Sequence, residues 1–266
     1  MSFRDLKRGN PDKKTRVIAI INQKGGVGKS TTAINLAASL GDFKKKVLLV
    51  DLDPQGNSTS GIGVEKEELE HDIYDAMLHG FDIEELIQET CVKGVYVVPA
   101  TIQLAGAEIE LVTEMARESV LKGILTPIID EFDYVFIDCP PSLGLLTINA
   151  LVAAESLMIP IQCEYYALEG VTKLLESMRM VKNRLNSNLT IFGVVMTMFD
   201  SRTTLSKQVV DEVRKYFGKD VFKTIIPRNV KLSEAPSHGL PVLKYARMSK
   251  GSVAYLNLAR EVIRRG

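Results

Sequence analysis

The segment Asn22-Gln23-Lys24-Gly25-Gly26-Val27-Gly28-Lys29-Ser30-Thr31 constrains this chain more than any other. It follows an apolar run, Val17–Asn22, and opens a helix-period stretch, Thr31–Leu40. Glycines between a buried strand and a helix N-terminus let successive backbone N–H groups converge on an anion with no Cβ in the way. Gly25, Gly26, Val27 and Gly28 supply that cradle. Lys29 is then placed to neutralise the β- and γ-phosphates of a nucleotide, Ser30 to ligate Mg²⁺, and Thr31 to reach the α-phosphate. A tight glycine turn is the rival reading, and the strand–loop–helix context argues against it. Gln23 stands where such loops usually begin with glycine, and a second lysine, Lys24, follows at once.

The rest of the chain supplies a sheet for this loop. Val/Ile/Leu-rich, non-alternating runs occur at Val47–Asp51, Val95–Pro99, Tyr134–Asp138, Ser156–Pro160, Ile191–Thr197 and Val221–Ile226. They read as parallel strands covered on both faces. Helical patterns at Leu145–Ala153, Glu169–Leu185, Ser206–Phe217 and Gly251–Arg265 lie between or after them. This alternation predicts an α/β fold: a single doubly wound, mostly parallel sheet with helices on both faces. The 266 residues suit one generous domain, 17–266, preceded by a basic extension, 1–16, expected to be flexible. The acidic, more helical stretch Glu65–Glu118 reads as an insertion on one edge. No apolar run approaches the ~18–20 residues of a membrane span. The N-terminus lacks a secretory h-region, and Cys91, Cys139 and Cys163 are too scattered for a disulfide framework or a zinc pair. A cytoplasmic location is expected.

Two further strands end in carboxylates. Lys46–Val50 runs into Asp51-Leu52-Asp53-Pro54-Gln55-Gly56-Asn57, and Tyr134–Asp138 into Cys139-Pro140-Pro141-Ser142-Leu143-Gly144. Ligands of open α/β sheets gather at the carboxyl ends of strands, so Asp51 and Asp53 fall where a γ-phosphate would lie. Capping of the following turn is the alternative for both. Four apolar residues ending in Asp form a Walker B pattern, which places Asp138 near Mg²⁺ through water. No histidine is placed to activate Cys139, so it reads as a small buried residue. His71, His79 and His238 show no ligand spacing.

The formal net charge is zero, yet the charge is strongly segregated. Residues 51–170 carry 4 Lys+Arg against 23 Asp+Glu, residues 202–266 carry 14 against 5, and residues 1–16 carry 6 against 2. Charge alone leaves two readings equally open: a surface for a polyanion, or basic helices paired with the acidic middle.

The stretch Lys24–Thr31, KGGVGKST, resembles the deviant Walker A motif of the ParA/MinD family of P-loop ATPases. Asp51–Gln55 resembles that family's switch I, and Ile137–Gly144 its switch II. The resemblance implies that Lys24 reaches across a dimer to the partner's nucleotide. It further implies that Asp53 positions or deprotonates the attacking water, while Asp51 shapes the loop or touches Mg²⁺ through water. Thr197-Met198-Phe199-Asp200 lacks the lysine of a guanine-reading N-K-x-D, which favours adenine, and Ile225–Asn229 resembles the purine-contacting loop, giving Pro227 and Asn229. The stretches 103–108, 162–170 and 233–239 look like the chromosomal ParA, or Soj, subgroup. A MinD-like membrane helix would need more chain beyond the apolar stripe of 255–263, and a nitrogenase-iron-protein-like cluster would need a cysteine pair that is absent.

The resemblance thus implies an ATP- and Mg²⁺-dependent partitioning ATPase of chromosomes or plasmids with weak basal activity. Such an enzyme is a homodimer with ATP, binds double-stranded DNA without sequence preference, associates with the nucleoid and answers to a ParB/Spo0J-type centromere-binding protein. No membrane partner is expected. Family DNA positions fall on Arg202 and Lys231; Lys207, Lys244, Arg247 and Lys250 are added from charge alone. A metabolic ligase that activates a small carboxylate with the γ-phosphate is the rival enzyme class. A non-hydrolysing DNA scaffold is the rival that the Lys29, Ser30, Asp53 and Asp138 set opposes.

Overall fold

Short Val/Ile/Leu runs build the sheet, as their non-alternating pattern requires. The computed structural model describes residues 14–165 and 169–265. Its strands are β1 (Arg16–Ile20), β2 (Val47–Asp51), β3 (Gln88–Glu89), β4 (Val95–Val98), β5 (Tyr134–Asp138), β6 (Ser156–Gln162), β7 (Thr190–Phe199) and β8 (Val221–Pro227). They form one sheet in the order β3-β4-β2-β5-β1-β6-β7-β8. The pairs from β4 to β8 are parallel, and only β3 runs antiparallel to its neighbour β4.

Five longer helices cover the two faces: α1 (Lys29–Asp42), α2 (Leu145–Ala153), α3 (Glu169–Arg184), α4 (Thr204–Phe217) and α5 (Lys250–Arg265). Successive β1 residues feed opposite layers. Val17, Ala19 and Ile21 join Leu146 of α2, Leu174 of α3 and Val209 of α4. Ile18 and Ile20 join Leu36 of α1 and Tyr255 and Leu258 of α5. The fold is therefore the doubly wound α/β sheet expected from the sequence. No described helix is long and apolar enough to cross a membrane.

Two boundaries differ from expectation. The fold begins before Val17: Thr15 is buried, its hydroxyl donates to the carbonyls of Phe132 (2.8 Å) and Ile129 (3.1 Å), and Arg16 N–H donates to Asp133 O (3.1 Å). Residues 1–13 of the basic extension lie outside the described residues, as do Tyr166, Ala167 and Leu168. The acidic stretch 65–118 is no insertion, because it contains β3 and β4 and so completes one edge of the sheet. At the opposite edge, Glu261 of α5 covers β8. Its carboxylate accepts N–H groups of Lys223 (2.8 Å) and Thr224 (2.7 Å), which an edge strand otherwise leaves open. The strand order thereby turns a segregation along the chain into one in space, with the acidic middle at the β3–β4 edge and basic residues at the β8 edge.

Candidate functional site

The loop between β1 and α1 is pinned at both ends. Asn22 Nδ2 donates to Pro160 O (2.7 Å) while its Oδ1 accepts Lys24 N–H (3.0 Å). Thr197, on β7, donates its hydroxyl to Val27 O (2.8 Å). Gly26 (φ 73°) and Gly28 (φ 91°) take the left-handed backbone that such a tight cradle needs, and Gly28 caps α1. Lys29 follows as a buried cation at the helix N-terminus, whose free N–H groups and dipole both favour an anion. Gln23 Nε2, buried at the start of the loop, has no hydrogen-bond partner among the described residues.

Register brings the carboxylates to this loop. Asp51 and Asp138, the last residues of β2 and β5, are paired across the ladder, and Ile20 of β1 is the other partner of Asp138. Burial pushes both carboxyls up from the usual range, and for Asp51 the neighbouring Asp138 adds to it. Asp51 is spent on the loop that follows β2: its oxygens accept Thr59 N–H (2.8 Å), the Thr59 hydroxyl (2.8 Å) and Asp53 N–H (3.2 Å). Of its two sequence readings, loop shaping is the one these contacts carry. Asp53 is buried beside it, and its Oδ1 accepts Gln55 N–H (3.0 Å).

Asp138 is arranged differently. One oxygen accepts the Ser58 hydroxyl (2.6 Å), and the nearby Ser30 hydroxyl and Lys29 favour the charged carboxylate. Its Oδ1 is buried without a partner. An orphaned carboxylate oxygen next to the Ser30 hydroxyl, in a cluster short of positive charge, is a hard-oxygen donor set that fits Mg²⁺.

Beside the loop lies a cavity of about 460 Å³ lined by Gly28, Thr31, Met198, Pro227, Asn229 and Pro236 among others. Its mostly apolar walls suit a purine, and Thr31, Pro227 and Asn229 all line it. Asn229 Oδ1 is committed to Lys231 N–H (2.9 Å), as the cap of the short helix Val230–Glu234.

Lys24 is not in the cradle. Its side chain is exposed, and Nζ lies 3.2 Å from Glu164 Oε2, in the loop after β6. Glu164 also accepts from Gln162 Nε2 and faces Arg228 (3.9 Å). Two further links escape sequence reasoning. Glu108, from the acidic segment, caps the helix behind switch II by accepting N–H groups of Leu145 (2.7 Å) and Leu146 (3.3 Å). Gly63, just after the short helix Asn57–Ser60 that follows switch I, meets Gly239 backbone to backbone; a Cβ at Gly63 would lie 3.0 Å from Gly239 O. Cys139 is buried, and burial raises its thiol well above the usual range, as befits a packing residue.

The six cations proposed for DNA do not form one free face. Arg202 is forked onto Asp200 (2.9 and 2.7 Å), Lys231 pairs with Glu234 (2.8 Å), and Arg247 is forked onto Asp42 at the far end of α1 (3.1 and 2.9 Å). Lys207 lies in the first turn of α4 and Lys250 begins α5, while Lys244, in the short helix Val242–Tyr245, lies near Cys91 before the amino end of β4. Arg202, Lys207, Lys231 and Lys250 therefore flank the carboxyl ends of β7 and β8, and Lys244 and Arg247 lie toward the other end of the sheet.

A family model described as an AAA domain matches residues 15–191. The chain is 56% identical over 251 residues, 94% of its length, to the sporulation initiation inhibitor protein Soj of Bacillus subtilis (strain 168), of which it covers 99%. It is 54% identical over 250 residues to the chromosome partitioning protein ParA of Myxococcus xanthus (strain DK1622), covering 94% of this chain and 88% of that one. Among solved structures, cobyrinic acid a,c-diamide synthase from Mycobacterium smegmatis with bound ATP analog and magnesium is similar, with a TM-score of 0.83 and 37% identity over 94% of this chain and 95% of that chain. At such identity along nearly its whole length, on this fold and around this phosphate loop, the chain belongs to the ParA/Soj family of chromosome-partitioning ATPases.

Proposed function

We propose that the chain is a nucleotide-timed partition switch that takes ATP with Mg²⁺, dimerises, holds DNA without reading its sequence, and lets go after hydrolysis. The observation that carries the reading is the division of labour between two lysines. Lys29 is buried in the phosphate cradle, whereas Lys24 stands on its exposed rim, held from outside by Glu164. A cation so placed serves a second chain's nucleotide better than its own, by the logic of a charge delivered only on assembly.

Within one chain, the loop N–H groups and Lys29 hold the β- and γ-phosphates, Thr31 the α-phosphate, and the walls around Pro227 and Asn229 the adenine. Ser30 and Asp138 are the residues that would hold Mg²⁺, and the bound ion would neutralise phosphate charge. Asp53 positions or deprotonates the attacking water, and Asp51 fixes the loop that presents it. Dimerisation doubles the basic surface, so duplex affinity follows nucleotide state by linkage. Arg202 and Lys231 are the principal phosphate contacts, supported by Lys207 and Lys250 at the same ends of the strands; Lys244 and Arg247 lie too far from them to share that duplex. A ParB-type protein accelerates hydrolysis, and the working location is the nucleoid in the cytoplasm.

The test is binding of an arbitrary duplex at low salt with no nucleotide, ADP, ATP and a slowly hydrolysed analogue, alongside the dimer fraction. Strong binding that rises with ATP or the analogue in step with dimerisation supports the switch; binding indifferent to nucleotide overturns it. The similarity to a solved amide-forming synthase gives a second reading, in which ATP turnover depends on a small carboxylate and ammonia donor rather than on DNA or a protein partner.

A further inference from the structure

The geometry points to a binding site for a small phosphomonoester at the amino ends of β1, β6 and β7, on the opposite side of the sheet from the phosphate loop. A hollow of about 620 Å³ opens there. Arg16, Ser156 and Thr190, the first residues of the three strands, line it together with Lys14, Lys219 and Arg265. A volume of that size admits a small organic solute as well as a bare ion.

The observation that calls for a ligand is Ser156. The residue is 4% exposed, it lines the hollow, and its Oγ has no hydrogen-bond partner among the described residues. A buried hydroxyl without a partner costs free energy, and such groups are found where water, an ion or a ligand completes them. Thr190 is the register partner of Ser156 on β7 and adds a second hydroxyl. Its Oγ1 makes only a long bond to Glu155 O (3.5 Å) among the described residues.

Charge selects the sign of the ligand. The hollow is lined by four cations, Lys14, Arg16, Lys219 and Arg265, against two carboxylates, Glu155 and Asp220. Glu155 is already engaged by Lys14 (3.6 Å) and Arg16 (3.3 Å), and Asp220 lies beside Arg265. The Arg265 guanidinium donates to the carbonyls of Phe192 (3.0 Å), Asp220 (3.1 Å), Lys219 (3.2 Å) and Val221 (3.2 Å). It thereby covers the oxygens that would otherwise repel an anion. Lys219 is exposed and has no ion pair among the described residues, so its ammonium is available.

The remaining wall is apolar, from the half-buried Ile191 and Phe192. A cationic rim, a hydroxyl floor and an apolar wall together match a phosphate carried on a compact organic group. The phosphate takes Lys219 and the two hydroxyls, and the organic group lies against Ile191 and Phe192. Neither the phosphate loop nor either switch lines the hollow. The site therefore goes beyond the partition switch and stands or falls without it.

The experiment uses the full chain with ADP and Mg²⁺ at saturation, so that the phosphate loop is occupied. Phenyl phosphate, inorganic phosphate and phenol are titrated by calorimetry into the parent, Ser156→Ala and Lys219→Gln, with ATP turnover as the check on folding. Phenyl phosphate should bind at one site per chain, more tightly than inorganic phosphate, and phenol should not bind. Ser156→Ala should weaken phenyl phosphate by about tenfold, the loss of one hydrogen bond to a charged group. Lys219→Gln should weaken it several-fold and flatten its salt dependence. Without ligand, Ser156→Ala should melt no lower than the parent, because it removes a hydroxyl that nothing satisfies.

A parent that does not bind phenyl phosphate, or variants that bind it equally well, overturns the proposal. Inorganic phosphate that binds as tightly as phenyl phosphate leaves an adventitious ion only, and the organophosphate assignment falls. A Ser156→Ala chain that melts lower without ligand means that water already satisfies the hydroxyl, and the proposal falls with it.

Discussion

Lys24 Nζ lies 3.2 Å from Glu164 Oε2, so the lysine proposed to act across a dimer is engaged within its own chain. Both side chains are close to half exposed, and such a pair is worth at most about 1 kcal/mol. It therefore tunes dimerisation and does not forbid it. Glu164→Gln frees two lysines per dimer and should strengthen ATP-dependent dimerisation by roughly 3- to 30-fold, read by sedimentation at limiting protein. Lys24→Ala should keep ATP binding and lose both dimer and hydrolysis; an unchanged dimer fraction with ATP ends its role in trans.

Among the described residues the Asp53 carboxylate accepts only the Gln55 N–H, so its removal leaves the loop's frame on Asp51 and Thr59 intact. Asp53→Ala should bind ATP as the parent does, hydrolyse it about 10²- to 10⁴-fold more slowly, and accumulate as a duplex-bound dimer. Hydrolysis at the parental rate would remove Asp53 from the reaction.

Asp200 and Arg202 make a prediction in pH. Hydrogen bonds from Arg202 hold the Asp200 carboxyl down at about 2, against an ordinary 3.8. A depressed carboxylate is charged and paired at neutral pH, and the pairing is lost only as pH falls through about 2. Arg202→Ala should return the carboxyl resonance of Asp200 toward the ordinary midpoint in a nuclear magnetic resonance titration. Because a duplex phosphate must compete with Asp200 for the same fork, Asp200→Asn should tighten ATP-dependent DNA binding several-fold. Weaker binding by that variant would mean that Asp200 orients Arg202 for DNA.

Glu108 joins two segments 37 residues apart, capping Leu145 and Leu146 behind switch II. Glu108→Ala should cost about 0.5–2 kcal/mol, as other lost helix caps do, or a few degrees of melting temperature. The signature is local: amide exchange at Leu145 and Leu146 rises ahead of exchange in β5. Gly144→Ala should do the same, since its new Cβ would fall 2.3 Å from the Glu108 carboxylate.

Most of the architecture is legible in the sequence because the parallel strands are apolar runs ended by turn chemistry. Val47–Asp51 and Tyr134–Asp138 are bounded identically in both readings. β3 escapes because two polar residues, Gln88 and Glu89, carry no periodicity and are held only by pairing with Val97 and Tyr96. The phosphate cradle is legible because its spacing is local. The Glu108 cap and the Lys24–Glu164 pair are not, since each spans a distance that only tertiary structure closes. Charge counting finds the basic third but not its internal neutralisation: Asp200 and Glu234 sit two and three residues from the cations they quench, at a geometry set by turn and helix.

Gly63 (φ 95°) and Gly239 (φ 62°) touch with no side chain between them, and a Cβ on Gly239 would lie 3.3 Å from Gly63 Cα. Such a joint has no clearance. The stretch from Asn229 to Gly239 also walls the purine cavity and carries Lys231. The loop behind Asp53 and that stretch therefore abut main chain on main chain. They meet without an intervening side chain, and a methyl group at either glycine would force the facing backbone to give.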